Sequence, residues 1–140
     1  MTENFKIIGS FIKDMSSETP DAQTFIFVRD KISKYRLNID INSKAVKNGI
    51  IEVNTIIKFA DQPEILKKAH FEITYTSIVK VNEKVSDKKE MEKIILCDVP
   101  NKIYPNLKKA FLDLIHNSGF PEVTFDKEVD FSDLYKQRTN

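Results

Sequence analysis

Two histidines and one cysteine are the obvious candidates for chemistry in this chain, and their spacing limits what they can do. His70 and His116 lie far apart, and neither has a cysteine or carboxylate at metal-ligand spacing, so no zinc site is expected. Cys97 has no second cysteine to pair with inside the chain, and it forms no recognisable nucleophile motif with a serine or histidine. The three glycines make no Gly-rich loop, which excludes a phosphate cradle of the Walker or dinucleotide type. Carboxylates are spread along the whole chain, and nothing singles out a pair for acid–base work. The expectation is therefore no catalytic residue, no metal and no cofactor. What remains is non-covalent: contact through apolar side chains and charge pairing.

The bulk properties narrow this further. Lys and Arg number 22 against 21 Asp and Glu, a net charge of +1, whereas a nucleic-acid-binding protein ordinarily carries a strongly basic face. The lysines are interleaved with acids, as in KVNEKVSDKKEMEK (80–93), the pattern of a solvated surface. No apolar run approaches the roughly 20 residues that span a bilayer. The start, MTENFKIIGSF, lacks the basic stretch, apolar core and small-residue cleavage site of a signal peptide. These features predict a cytoplasmic protein that neither binds nucleic acid nor inserts into a membrane. The 140 residues fit one domain over 1–140, able to bury roughly 68–70% of its unfolded surface. With 41% apolar and 31% charged residues, it has an ordinary globular mixture.

The elements follow from periodicity. Residues 4–15 read as a strand, with Gly9 a candidate bulge. SSETPDAQ (16–23) reads as an exposed loop. TFIFVRDKIS (24–33) fits either a short edge strand or a loop packed over the sheet. In 35–42, Tyr35, Leu37, Ile39 and Ile41 alternate with Arg36, Asn38, Asp40 and Asn42, the signature of a half-buried strand. Asn48-Gly49 supplies a hairpin turn, and 50–60 follows as a strand. DQPEILKK (61–68) is a turn with Pro63, and 69–79 is a further alternating strand. Beyond it the pattern turns helical: a short helix over 89–97, a long one within 99–121, and a terminal helix in 125–140 capped by Asp130 or Ser132. Strands first and helices afterwards predict an α+β fold: a four-stranded antiparallel sheet, with a long helix and a C-terminal helix on one face.

The long helix has more apolar surface than one sheet needs to cover. Ile103, Tyr104, Leu107, Ala110, Phe111, Leu114 and Ile115 fill a stripe of about 140°, with Leu112 beyond it, against roughly 100° for an ordinary surface helix. Lys109, Asp113 and His116 hold the polar side. Pro105 either starts the helix or kinks it, and Asn117-Ser118-Gly119 with Pro121 ends it. The extra width calls for a second partner. That partner is either the same helix of another copy, which makes the protein a homo-oligomer, or the chain's own terminal helix or 24–33 segment.

Four patches, in order along the chain, resemble the SecB family of protein-export chaperones. FIKDMSSETPDA (11–22) is similar to the family's first strand and loop, and HFEITYTSIV (70–79) to its strand with a Glu-apolar-x-Tyr core. PNKIYPNLKKAFLDLIHNSGFP (100–121) resembles the long helix, from its Pro-x-x-Leu-Phe-Pro start to its Gly-Phe-Pro end. VDFSDLY (129–135) resembles the closing segment. The resemblance implies a SecB-like sheet with helices on one side and a tetramer built as a dimer of dimers. It implies ATP-independent holding of unfolded precursor proteins before export, and delivery to the motor SecA. By matching positions it implies that Asp14, Glu18 and Glu72, on the open face of the sheet, meet basic groups of SecA. One departure bears on that docking: family members are usually acidic, and this chain is near neutral. A SecB-like chaperone of another client system, such as one protecting an antitoxin, is the related alternative.

A chaperone that uses no ATP must hold clients through many weak apolar contacts, at roughly 25 cal/mol per Å², multiplied by avidity across subunits. Candidate groove residues are Phe25, Phe27, Ile32, Tyr35, Val79 and Val81, with core packing as the alternative for each. Candidate subunit contacts are Phe71, Ile73 and Tyr75 on the strand and Leu107, Phe111 and Leu114 on the helix. A non-catalytic adaptor would differ in ignoring unrelated unfolded proteins. An enzyme would differ in having a closed pocket with convergent polar groups.

Overall fold

In the computed structural model, residues 4–61, 68–126 and 129–139 are described. The 62–67 part of the turn read from DQPEILKK lies outside them. The four strands are β1 (Phe5–Glu18), β2 (Arg36–Lys47), β3 (Ile50–Ala60) and β4 (His70–Val81). They form one antiparallel sheet in the order β1-β4-β3-β2. Among the described residues, four α-helices accompany them: α1 (Ala22–Arg29), α2 (Lys88–Lys93), α3 (Val99–Asn117) and α4 (Phe131–Thr139). This is the α+β architecture expected from the periodicity.

Three local readings change. The loop read over 16–23 is shorter than expected, because β1 stays paired to β4 as far as Glu18 opposite His70 and α1 already starts at Ala22. The apolar run 24–33 is neither an edge strand nor a loop over most of its length; it is α1. Asp21 starts that helix, its Oδ1 accepting the Thr24 backbone N–H at 2.7 Å, and Thr24 and Val28, one helical turn apart, are the buried pair. Finally, α2 does not stop before the long helix. A wide π-type turn over Ile94–Asp98 joins it to α3, the Val99 N–H bonding back to the Ile94 carbonyl. Pro100 follows directly and has no N–H to complete a regular turn, a setting in which helices widen. Pro105 consequently sits inside α3, not at its start. At the far end, Asp130 is the residue that caps α4: its Oδ1 accepts the Asp133 N–H at 3.2 Å.

Two bulges shape β1. The pairing shifts between Ile7 and Gly9, as Gly9 suggested, and again between Ile12 and Asp14. The hairpin turn at Asn48-Gly49 puts positive φ on Gly49 alone, at 72°.

The helix layer covers one sheet face. Ile103, Leu107, Phe111 and Ile115, at 3.6-residue spacing, pack with Ile57, Phe59, Phe71 and Ile73 of the sheet. Phe120, Val123 and Phe125 close the end of this cluster, with Phe59–Phe125 and Phe71–Phe120 rings edge-on at 5.4 and 5.7 Å. A second cluster gathers Phe5, Val53, Val79 and Val81 under Ile94, Val99 and Phe131.

Candidate protein-docking surfaces

The side of the sheet opposite the helices is polar at its centre. Strand pairing aligns Asn42, Asn54, Thr76 and Phe11 in one row across all four strands. Thr76 Oγ1 donates to Asn54 Oδ1 at 2.6 Å, and Asn54 Nδ2 donates both to Asn42 Oδ1 and to Glu52 Oε2 at 2.9 Å. Lys13 reaches over from β1 to Glu52 at 3.2 Å. The second β1 bulge makes this possible, because it turns Lys13 to the same face as Asp14. The Asn54 amide and then the Lys13 ammonium hold the Glu52 carboxyl below the usual carboxylate range. Lys13, Asp14, Asn42, Asn54, Ile56 and Thr74 bound a shallow hollow of about 430 Å³ here.

The three carboxylates expected to dock a partner all lie on this open face. Asp14 is opposite Thr74, and Glu18 is opposite His70. Glu72 is opposite Ser16 on one side and Lys58 on the other, and it pairs with the Lys58 ammonium at 3.6 Å. Asp14 and Glu18 are exposed, and Glu72 is half-buried.

The helix side has hollows with an apolar floor and a polar rim along the β2 edge. The larger, about 760 Å³, is lined by Ile32, Tyr35, Leu37, Phe59, Val123 and Phe125 together with the polar Ser33, Arg36, Glu122, Thr124 and Asp126. Tyr35 is fixed there: its hydroxyl donates to the Ala69 carbonyl at 2.6 Å and accepts the Ala69 N–H at 3.1 Å. Burial raises its phenol pKa. The 120–126 wall is tied back to α3 by His116 Nε2, 2.7 Å from the Val123 carbonyl. Further along the strand, Ile39, Ile41, Leu96 and Leu134 line a second hollow of about 240 Å³.

Of the residues expected to line a groove, Ile32 and Tyr35 border the larger hollow. Phe25 and Phe27 pack half-buried on the same apolar cluster. Val79 and Val81 sit in the second core; Val79 has no exposed surface. Their odd-numbered positions on β4 face the helices, and Val81 keeps only a small exposed surface, at the hairpin end. The residues expected at subunit contacts divide likewise. Phe71, Ile73, Leu107 and Phe111 are already covered within one chain, and their burial needs no second copy. Tyr75 and Leu114 keep part of their surface exposed. The sequence reading missed Ile39, Leu96 and Leu134. The signal for Ile39 was present in the alternation of 35–42, but nothing in that pattern told that helices would leave the β2 end uncovered.

Among the described residues, no group of three or more His, Cys, Asp and Glu could hold a metal ion, and no helix is long and apolar enough to cross a membrane. The molecule is thus a sheet with one helix layer, a charged open face and partly apolar hollows at an edge: features that suit the binding of other polypeptides. The family model described as "Preprotein translocase subunit SecB" matches residues 1–140, and the chain belongs to the SecB family of protein-export chaperones. It is 80% identical, over the full length of both chains, to the putative protein-export protein SecB of Pelagibacter ubique. To the protein-export protein SecB of Methylocella silvestris it is 26% identical over 129 residues, 91% of this chain and 78% of that one. Among solved structures it shares its fold with the SecB-like chaperone of Mycobacterium tuberculosis, in complex with a ChAD peptide from the HigA1 antitoxin. That match has a TM-score of 0.65 at 13% identity, covering 89% of this chain and 91% of the other.

Proposed function

We propose that this protein holds non-native precursor proteins in a translocation-competent state, without ATP or catalysis, and delivers them to the SecA motor. It works in the cytoplasm as a homotetramer built as a dimer of dimers. The observation that carries the reading is the separation of two kinds of surface: partly apolar hollows along β2 on the helix side, and carboxylates on the helix-free side. A client held in the first leaves the second free for a motor. The hollow bounded by Ile32, Tyr35, Phe59 and Phe125 suits the apolar side chains of an extended client, and its shallow form favours many weak, reversible contacts. Asp14, Glu18 and Glu72 supply opposite charge for basic groups of SecA, which sets specificity and on-rate more than raw affinity.

Assembly has support in β1. This 14-residue strand is a sheet edge, and it exposes Ile8, Phe11, Ile12 and Met15 at 54, 48, 44 and 42%. A long apolar edge is a template for pairing with another chain. Ile12 lies opposite the half-exposed Tyr75, which with Leu114 leaves apolar surface for a second copy on the helix side.

Two measurements test the reading together. The purified protein should slow aggregation of several unrelated unfolded clients without nucleotide. SecA titrated at low salt should bind it, and Glu72→Lys should weaken that binding while leaving the holding activity intact. Equal affinity of the variant for SecA rejects the docking role, and failure to protect any client rejects the holding role.

A further inference from the structure

The open face also carries a cluster of lysines that the docking reading does not use. At the hairpin end of the sheet, strand pairing sets Lys6 directly opposite Lys80, Lys80 opposite Ile50, and Ile50 opposite Lys47. The next row ends in Lys44, opposite Glu52. Lys6, Lys44, Lys47 and Lys80 are all exposed, and no ion pair joins any of them to a described residue. Glu52, the carboxylate nearest Lys44, is already occupied by Lys13 and Asn54. Lys6 and Lys80 share the rim of a hollow of about 370 Å³ with Phe5, Val81, Asn82 and Glu83, the one acid among the described residues that line it. Two ammonium groups directly opposite each other oppose strand pairing. An anionic partner converts that repulsion into attraction.

The opposite end of the same face holds Asp14, Glu18 and Glu72. Lys80 and Glu72 are eight residues apart on β4, about 26 Å at the rise of a strand. The face is therefore unevenly charged along the strand direction: Lys6, Lys44, Lys47 and Lys80 gather at one end, with Glu52 already taken by Lys13 and Asn54, while Asp14, Glu18 and Glu72 lie towards the other, interleaved with Lys13 and Lys58. We infer that the Lys6–Lys80–Lys47 row, with Lys44, is the second half of the docking face and takes an acidic stretch of the partner whose basic groups sit over Asp14, Glu18 and Glu72. This rests on the docking reading above and adds to it the partner's charge pattern and its direction on the sheet. An extended segment of roughly eight residues spans the two ends. Reversing it would set like charges against each other at both, so the polarity selects one orientation. A near-neutral chain can thus still present a basic end to a partner, because Lys6, Lys44, Lys47 and Lys80 share one end of the open face.

The test titrates the full-length protein with SecA at low and at physiological salt. It compares Lys6→Glu/Lys80→Glu, Lys6→Gln/Lys80→Gln and Glu72→Lys with the natural chain. Client protection is measured in parallel to show that each variant is folded. The double reversal is expected to weaken SecA binding about tenfold at low salt, the neutral pair to weaken it less, and both differences to shrink as salt rises. A synthetic acidic octapeptide is expected to compete with SecA on the natural chain and not on the double reversal. If Glu72→Lys weakens binding and the lysine variants stay within twofold, the inference is overturned and the docking reading stands. If neither end matters, both are overturned. If only the lysines matter, the single partner spanning both ends is overturned. Sedimentation with anionic phospholipid vesicles closes the remaining route: vesicle binding lost in the double reversal, with SecA affinity unchanged, assigns the row to a lipid surface and overturns the inference.

Discussion

At Gly119 the backbone takes a φ of 108°, and a β-carbon built there would meet the Phe25 ring at 2.5 Å. That single position ends α3 and lets α1 close against it, with the Phe25 and Phe120 rings 5.2 Å apart. Gly119→Ala is expected to cost at least about 1 kcal/mol, from the left-handed backbone alone. A thermal melt no lower than that of the natural chain would contradict it. Tyr104 is the converse case: its ring packs edge-on against Phe131 at 5.5 Å, but its hydroxyl is buried with no hydrogen-bond partner among the described residues. Tyr104→Phe removes an unpaired polar group and should raise stability by about 1 kcal/mol in a denaturant titration. Glu52 provides a pH handle. Its folded-state pKa is depressed by Asn54 and Lys13, so its contribution is present above the unfolded carboxylate value and is lost as pH falls through the folded one. Glu52→Gln should therefore melt below the natural protein at neutral pH, with the gap closing in acid. A gap that persists unchanged at low pH would assign the loss to packing.

Between elements, the decisive contact is α3 on the sheet. Phe111 and Leu107 are fully buried against it, and each contributes on the order of 1.5–3 kcal/mol of apolar burial. Phe111→Ala should cost about 3–5 kcal/mol, as a large cavity does in a well-packed core. Measured loss below 1 kcal/mol would mean that α3 is held elsewhere. The 120–126 segment is a thinner connection. It forms one wall of the larger hollow and is tied to α3 through His116 and the Val123 carbonyl. His116→Ala should leave the global melt within about 1 kcal/mol while weakening client protection, because the wall loses its anchor.

For the whole molecule, the question is where the remaining apolar surface goes. The extra width of α3 is largely absorbed inside one chain, since Ile103, Leu107, Phe111 and Ile115 are all covered by its own sheet and loops. The case for assembly therefore moves to the edge strand β1, with Tyr75 and Leu114 beside it. Light scattering should give a mass near four chains, and a stable monomer at micromolar concentration would remove the tetramer. Leu114→Asp should lower that mass if the half-exposed side chain faces another copy, because burying an unpaired charge costs several kcal/mol.

Much of the architecture was legible by period alone. Alternation over 35–42, 50–60 and 69–79 marks strands, and the 3.6 spacing of Ile103, Leu107, Phe111 and Ile115 marks the helix face, because each pattern is a direct image of which side chains share a side. What the pattern could not settle was competition between local signals. The run TFIFV has strand-like composition, yet Asp21 caps it as a helix, and β1 runs on to Glu18 because β4 supplies a partner for its backbone. Nor does periodicity say what covers a face once it exists. Val79 and Phe25 look equally apolar in sequence, but only the packed helix layer buries the first and leaves the second half-exposed. The same holds for charge: a net of +1 conceals four lysines brought together at one end of a sheet face, since composition sums charges and only strand register assigns them places.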